Sequence, residues 1–275
     1  MRQTLPAVIR LFASLLVLIL GTTSALTHEF WISPEAYQIN VGDPIAANLR
    51  VGEKLSGSAY PYLPRNTARF EVYLRGDAQE VTSRIGDRPA LNQTLPGKGL
   101  AIVVHETTDL SLTYRKWEKF EAFTDHKDFA WAQDEHLARG LAETGFKESY
   151  RRFAKSLVSI GEGNGKDFAM GLEIEIVALE NPYKYVVSKP FPVQVLYGGE
   201  PRAHAQVEVF ARPPEGEVVV SQYQTDGEGI ALLSLDAGTE YLVDSVIMLP
   251  IEPDDAEGPV WRSLWASLTF RTPDR

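Results

Sequence analysis

The chain has 275 residues, a net charge of −10 and no cysteine. The acidic balance argues against a nucleic-acid-binding protein, because basic side chains supply most of the affinity of such proteins. The missing cysteine excludes disulfides and thiolate metal sites.

An export signal is predicted over residues 1–25. Arg2 and Arg10 are followed by an apolar run at 11–20 and by small residues at 21–25, which is the three-part pattern of a cleaved signal peptide. Its removal leaves 25 basic and 37 acidic side chains, a net charge of −12. No later apolar run reaches the ~18 residues of a membrane span. We therefore expect a periplasmic protein with no membrane insertion after signal removal.

Residues 28–115 are predicted to form β structure. Residues 45–52 have a strand-like composition, residues 69–74 and 110–114 alternate between apolar and polar side chains, and residues 100–106 form a short apolar run. Turn signals such as 41–44 separate these segments. Short strands with turns between them favour a sandwich or a barrel.

A helical insertion is predicted over residues 116–152. Trp117, Phe120 and Phe123 have helical spacing, as do Leu137 and Leu141. Strands are predicted again at 154–160 and at 172–177, and the second of these alternates strictly. The glycine-rich segment 161–165 between them is interpreted as a hairpin connection rather than a phosphate loop, because a strand and not a helix follows it.

A domain boundary is predicted at 181–184. About six short strands follow within some 85 residues, a spacing close to that of an immunoglobulin-like sandwich. The predicted fold is therefore all-β, with two β-sandwich (immunoglobulin-like) units. These units are residues 26–180, which include the helical insertion, and residues 184–272.

His28 is the first candidate metal ligand, because signal cleavage would leave it at or near a new free amine. Cleavage after Ala25 would place the imidazole third in the chain, where amine, amides and ring nitrogen suit square-planar copper(II) or nickel(II). Cleavage after Thr27 would make His28 the first residue, and further ligands would have to come from the fold. The alternative is that His28 only caps the first strand, with Phe30 and Trp31 as core residues.

The remaining histidines carry weaker signals. His105 ends an apolar strand and is either a ligand or a satisfied edge histidine, and His204 is expected in solvent. His126 and His136 are ten residues apart, a spacing that rotates them by ~80° relative to each other on a helix, so they do not form the i, i+4 ligand pair of helical zinc sites. No nucleophile or acid–base motif is present, so we do not expect an enzyme.

Several motifs together resemble a family of exported bacterial proteins with a domain of unknown function, associated with nickel or cobalt uptake. Members begin after the signal with His-Asp/Glu-Phe-Trp, as at 28–31. The other matching segments are 49–52, 119–123, 150–158, 180–183 and 261–270. The resemblance implies a periplasmic binding protein for a divalent transition metal, nickel or cobalt, free or chelated, with a membrane transporter as partner.

His28 is then the main expected ligand and His105 the likeliest second one, with copper as a further candidate metal. One departure stands against this reading, since family members often have a histidine where this chain has Ile247. The alternative function is a non-catalytic envelope module that binds a protein or a glycan, using the aromatic segment 60–64 as a contact patch.

Overall fold

The computed structural model describes residues 28–186, 189–255 and 257–274, so the predicted signal peptide lies outside the described residues. The described part contains two α-helices, a short 3-10 helix at Pro64–Asn66 and eighteen strands. The strands of the first half are β1 (Glu29–Pro34), β2 (Gln38–Ile39), β3 (Pro44–Glu53), β4 (Ser56–Tyr60), β5 (Thr67–Leu74), β6 (Asp77–Glu80), β7 (Leu91–Thr94), β8 (Gly99–Thr107), β9 (Leu110–Tyr114) and β10 (Phe146–Ile160). Those of the second half are β11 (Ile174–Ala178), β12 (Phe191–Tyr197), β13 (Glu200–Pro201), β14 (Gln206–Arg212), β15 (Val219–Gln224), β16 (Ile230–Leu233), β17 (Glu240–Pro250) and β18 (Pro259–Arg271).

A ten-stranded sheet forms the centre of the molecule. Its strand order is β15-β14-β17-β18-β10-β8-β5-β6, and β2 and β9 also pair with β10. β10 and β18 run parallel in its middle, as do β10 and β2, whereas the β8–β10 and β17–β18 pairs are antiparallel. In β8, Ala101 and Val103 enter one core cluster, whereas Leu100, Ile102 and Val104 enter another. Because successive side chains point to opposite faces, both faces of this sheet are buried, which explains the continuous apolar run of β8.

Each face of the central sheet is covered by a smaller sheet. The sheet β1-β3-β4, with β7 beside β3, packs over β5, β8 and β10, and the sheet β11-β12-β13, with β16 beside β12, encloses the larger core with β14, β17 and β18. Alternation of apolar side chains along each strand produces both cores. The predicted all-β sandwich fold is confirmed.

The two helices are α1 (Trp117–His126) and α2 (Trp131–Ala138). Both fall within the predicted insertion of 116–152, but its last part is the start of β10, where Phe146–Tyr150 pair with β9. α1 buries Phe120 and Phe123 against a third cluster that includes Trp261 and Trp265 of β18. The helices therefore close one end of the central sheet. Within the described part of the chain, neither helix is long and apolar enough to cross a membrane.

The central sheet contains strands from both predicted units. β5, β8 and β10 lie before the predicted boundary at 181–184, and β14, β17 and β18 lie after it. The two sandwiches thus share one hydrogen-bonded sheet, and the division into two domains stays a prediction.

Candidate functional site

His28 lies immediately before β1, at the rim of two neighbouring cavities. Its side chain is 51% exposed, and its Nδ1 lies 3.5 Å from Oε1 of Glu53 at the end of β3. Its backbone carbonyl accepts a hydrogen bond of 3.0 Å from Nη2 of Arg152 on β10. The imidazole is therefore held near the surface by a strand register that pairs Glu29 with Gly52.

The first cavity has a volume of about 470 Å³ and opens beside α1. Tyr114 of β9, Glu148 and Arg152 of β10 and Trp265 of β18 form its inner wall, with His28 at the rim. Strand alternation explains this wall, because Glu148, Tyr150 and Arg152 are two residues apart and share one face of β10. An aromatic floor with a few polar groups is the usual composition of a small-ligand site.

The second cavity, about 300 Å³, shares His28, Tyr150 and Arg152 with the first. Its remaining wall includes His105 and the aromatic segment around Tyr60, where Pro61 and Leu63 also contribute. The structure therefore brings both predicted metal ligands to one cavity. It also places the predicted contact patch of residues 60–64 partly in the cavity wall rather than entirely on an outer surface.

His105 is buried, with only 2% of its surface exposed. Its Nε2 lies 3.2 Å from Oγ1 of Thr67, while Nδ1 has no hydrogen-bond partner among the described residues. The rings of Phe30 and Phe70 pack within about 5 Å of it. Burial lowers the pKa of His105 to about 3, so the ring is neutral at physiological pH.

The first cavity is cationic, although the protein is acidic. Four basic side chains line it, against one acid. They are Arg115, Lys116, Lys119 and Arg152. The acid, Glu148, is buried and accepts hydrogen bonds from the hydroxyls of Tyr114, at 2.7 Å, and Ser263.

Burial raises the pKa of Glu148 to about 7 despite those hydrogen bonds, so a large fraction is uncharged at neutral pH. Arg152 packs against the rings of Phe30 and Tyr150, and its Nε finds no partner in the described part of the chain. The cavity therefore presents cationic and aromatic groups, which favours an anionic ligand.

A cluster of charged side chains lies behind Trp265. It consists of the buried Glu29, Lys127, Glu208 and Asp244 and of the exposed His126. Lys127 donates to Glu208 and, at 2.9 Å, to Asp244, and its ammonium lies 5.2 Å from the Trp265 ring centroid. Burial raises the pKa of Glu29 to about 7, with the charge of Asp244 adding to the effect. The cluster joins α1 to the central sheet and to β1.

The remaining histidines do not converge on the cavities. His136 is buried, where its Nδ1 accepts a hydrogen bond from Trp261 Nε1 at 3.0 Å, and His204 is exposed. Ile247 packs against the large core, whereas its neighbours Val246 and Met248 pack in the cluster that contains Trp265. Ile247, the position at which the family resemblance implies a histidine, thus faces away from the first cavity.

The described residues contain no group of three or more His, Asp or Glu side chains that could hold a metal ion. His28 and Glu53 provide only two possible donors, and the wall of the first cavity, as far as the structure describes it, also carries four basic side chains. These residues do not supply the complete coordination sphere that a bare divalent ion needs.

A family model matches residues 25–248, and its description is a domain of unknown function, DUF4198. The chain belongs to this family. The predicted membership of a domain-of-unknown-function family is thereby confirmed. No curated protein matches the chain.

Three of the solved structures that match the chain have low sequence identity and low TM-scores. A tetra-tandem repeat in the extending region of a large adhesion protein is 10% identical and has a TM-score of 0.20. Salmonella alpha-2-macroglobulin reacted with methylamine is 13% identical with a TM-score of 0.22, and the D0-D1 domain of intimin is 12% identical with a TM-score of 0.21. Each alignment covers 88% of this chain, and it spans 49%, 15% and 97% of those chains, respectively.

Glu148, Arg152 and Trp265 were not predicted as site residues, although two of them lie in segments on which the family resemblance rests. Arg152 occurs in the segment 150–158 and Trp265 in 261–270. The parallel register that places Arg152 opposite Trp265 joins residues more than a hundred positions apart. One feature of the sequence could have indicated the site: Arg152 lies next to a predicted buried strand, where a charged side chain requires a partner or a ligand.

Proposed function

We propose that the protein is an exported periplasmic binding protein for a divalent transition metal, nickel or cobalt, carried as a complex with a small anionic chelator. The observation that carries the proposal is a half-exposed imidazole, His28, at the rim of a cavity with four basic side chains. The predicted export signal and the family resemblance support the location and the class of metal.

The cationic wall favours a chelate over a bare ion. Arg152 and its basic neighbours repel a free divalent cation, and the described residues offer it no set of three donors. A chelator that carries carboxylates reverses the sign of the interaction, because guanidinium groups bind carboxylates through charge-assisted hydrogen bonds. The chelator fills most metal positions, and His28 supplies the last.

Glu53 supports this role for His28. A carboxylate 3.5 Å from Nδ1 favours the tautomer with the proton on Nδ1, which leaves the lone pair of Nε2 for a metal. His105 contributes to ligand binding in the second cavity. Its ring is neutral, and its Nδ1, which has no partner among the described residues, can form one hydrogen bond with a ligand. His105 is thus proposed as a ligand-contacting residue and, with its ring nitrogen, as the candidate second metal ligand.

Titration calorimetry at pH 7.5 tests the proposal with nickel citrate, citrate alone and free nickel chloride. We expect the complex to bind more tightly than either component. His28→Asn should weaken the complex about tenfold or more, equivalent to ~1.4 kcal/mol or above. His204→Asn is the matched control, because His204 is exposed, and Asn tolerates its φ of 54°. Equal affinity of wild type and His28→Asn for the complex would refute the metal contact.

The alternative function, an envelope module for a protein or glycan, is supported by Tyr60, Pro61 and Leu63 in the wall of the second cavity. Aromatic and proline side chains beside Asn66 suit a sugar ring as well as a peptide. This alternative predicts that wild type and His28→Asn capture a ligand from periplasmic extract with equal yield. A chelator should not change that yield. A membrane transporter as partner remains part of the metal proposal.

A further inference from the structure

A second group of buried charges, independent of the cavities, lies between the central sheet and the sheet of β11. Lys155 of β10, Asp167 of the following loop and Glu175 of β11 have side chains that are 1%, 0% and 1% exposed. Nζ of Lys155 lies 2.8 Å from Oδ1 of Asp167 and 2.9 Å from Oε1 of Glu175. Two carboxylates therefore face this lysine in a region enclosed by apolar side chains.

We propose that Lys155 and Asp167 condense to an intramolecular amide that covalently joins β10 to the loop leading to β11, with Glu175 as the proton carrier. The amine, the electrophilic carboxyl and a second carboxylate are in mutual contact, and bulk water is excluded. Holding the reacting groups together replaces a bimolecular encounter with an intramolecular step. Removing one cation and one anion from the interior also eliminates their desolvation cost.

The hydrogen bonds assign a role to each oxygen of Asp167. Oδ1 faces Lys155 and also accepts a hydrogen bond of 2.9 Å from the backbone N–H of Phe168. Oδ2 accepts one of 2.8 Å from the backbone N–H of Ala178. Burial raises the pKa of Asp167, which favours the protonated, electrophilic acid. The Ala178 amide is positioned to stabilise the oxyanion that forms on Oδ2.

Glu175 is held as the proton acceptor. Its carboxylate accepts backbone hydrogen bonds from Met170, at 2.7 Å, and Leu172, at 3.2 Å, in addition to the one from Lys155. These amides belong to the loop that also carries Asp167, so the loop conformation and the carboxylate fix each other. Glu175 therefore stays next to Nζ throughout the step.

The reaction balances without a cofactor. A proton passes from the Lys155 ammonium to Asp167 Oδ1, giving a free amine and a neutral acid. Nζ then adds to Cγ, Glu175 takes a proton from the nitrogen and transfers it to the departing hydroxyl. The C–O bond breaks, one water leaves, and an amide N–C bond remains. No electron transfer is involved.

Lys127 provides an internal comparison, since it also contacts two buried carboxylates, Glu208 and Asp244. There His126 lies 3.0 Å from Glu208, and the hydrogen bond with Glu208 raises the pKa of His126. Despite burial, the carboxylates raise the pKa of Lys127, and the contacts with His126 and Lys127 lower the pKa of Glu208 to about 2. That lysine remains a protonated ion and is not expected to react.

Mass spectrometry of the denatured wild-type protein tests the proposal. After the first residue has been determined, the intact mass should be about 18 Da below the sequence mass, the loss of one water. Trypsin should release a branched peptide in which residues 153–166 are joined to 167–184, with no cleavage after Lys155. Lys155→Arg and Glu175→Gln should restore the full mass, whereas Lys127→Arg should retain the deficit.

The fragment spectrum distinguishes the cross-link from other losses of water. Asp226 precedes a glycine, and ring closure to a succinimide there would give the same mass change without a branched peptide. A full-length mass for folded wild-type protein, or a loss of water mapped away from Lys155 and Asp167, would overturn the proposal. Because the wild type gives the decisive measurement, the result does not depend on whether the variants fold.

Discussion

Replacement of Lys127 by methionine is expected to destabilise the protein strongly. The lysine side chain is 3% exposed and lies against Glu208 and Asp244, whose side chains are both 2% exposed. Methionine preserves much of the side-chain volume but removes the cation, which leaves two carboxylates buried without it. Breaking a buried ion pair in this way costs about 3–5 kcal/mol. At ~2–4 °C per kcal/mol for a chain of this size, the melting temperature should fall by about 6–20 °C.

The loss should depend on pH in a defined direction. Without Lys127, the pKa values of both carboxylates rise, so these groups can be protonated as the pH falls. Protonation removes the buried charges that cause the penalty. Differential scanning calorimetry should therefore show a smaller difference between Lys127→Met and wild type at pH 5 than at pH 7.5.

Two controls separate the electrostatic effect from packing. Lys98→Met changes an exposed lysine paired with Glu162, at 59% and 64% side-chain exposure, and should cost less than about 0.5 kcal/mol. Adding Glu208→Gln and Asp244→Asn to Lys127→Met should recover much of the lost stability. A loss below about 1 kcal/mol for Lys127→Met, or no recovery in the triple variant, would refute this account.

Further predictions concern buried groups around the cavities. The folded pKa of His105, about 3, lies below its value of about 6.5 in the unfolded chain. The unfolded state therefore binds the proton first, and this residue lowers stability as the pH falls from about 6.5 towards 3, by up to ~1.4 kcal/mol per pH unit. The free energy of unfolding of His105→Gln, measured with urea at several pH values, should depend less steeply on pH than that of the wild type. An unchanged dependence on pH would contradict burial of the neutral ring. Glu148 changes the stability with pH in the opposite direction, because its folded pKa of about 7 lies above its ordinary value of 4.5. The stability that the protonated Glu148 carboxyl contributes is lost as the pH rises from about 4.5 to 7, so Glu148→Gln should gain stability relative to wild type at pH 8. A stability difference between variant and wild type that stays constant over this pH range would count against the raised pKa of Glu148. Trp261→Phe leaves Nδ1 of buried His136 without its indole donor and should cost about 1–3 kcal/mol, measured by thermal unfolding. A cost no larger than that of an exposed substitution would argue against this hydrogen bond.

The period of apolar side chains identified many of the elements. The run at 100–106 became β8, which is buried on both faces, and the spacing of Trp117, Phe120 and Phe123 became one face of α1. The predicted helical insertion of 116–152 included residues 146–152. The structure resolves them as β10 because β9 and β18 offer hydrogen-bond partners on its two sides. Local periodicity does not contain that information.

The same limit applies to burial. The strict alternation at 172–177 predicts Glu173 and Glu175 on a common polar face, yet the Glu173 side chain is 33% exposed and that of Glu175 is 1% exposed. Glu175 can be buried because Lys155 and the amides of Met170 and Leu172 compensate its charge. Their convergence depends on how two sheets pack, which no local pattern in the chain specifies.

The amino-acid chain alone was sufficient to indicate a sandwich of short strands, a helical segment and His28 as a candidate ligand, since these follow from periodicity and from chemistry near one site. Tertiary packing placed His28 and His105 on one cavity, placed four basic side chains in the wall of the neighbouring cavity that His28 also lines, and brought Lys155 to Asp167 and Glu175. Those groups meet through long-range strand pairing and sheet packing. The physical reason is that the sign and strength of an electrostatic site depend on distances and burial, and both arise only when the sheets come together.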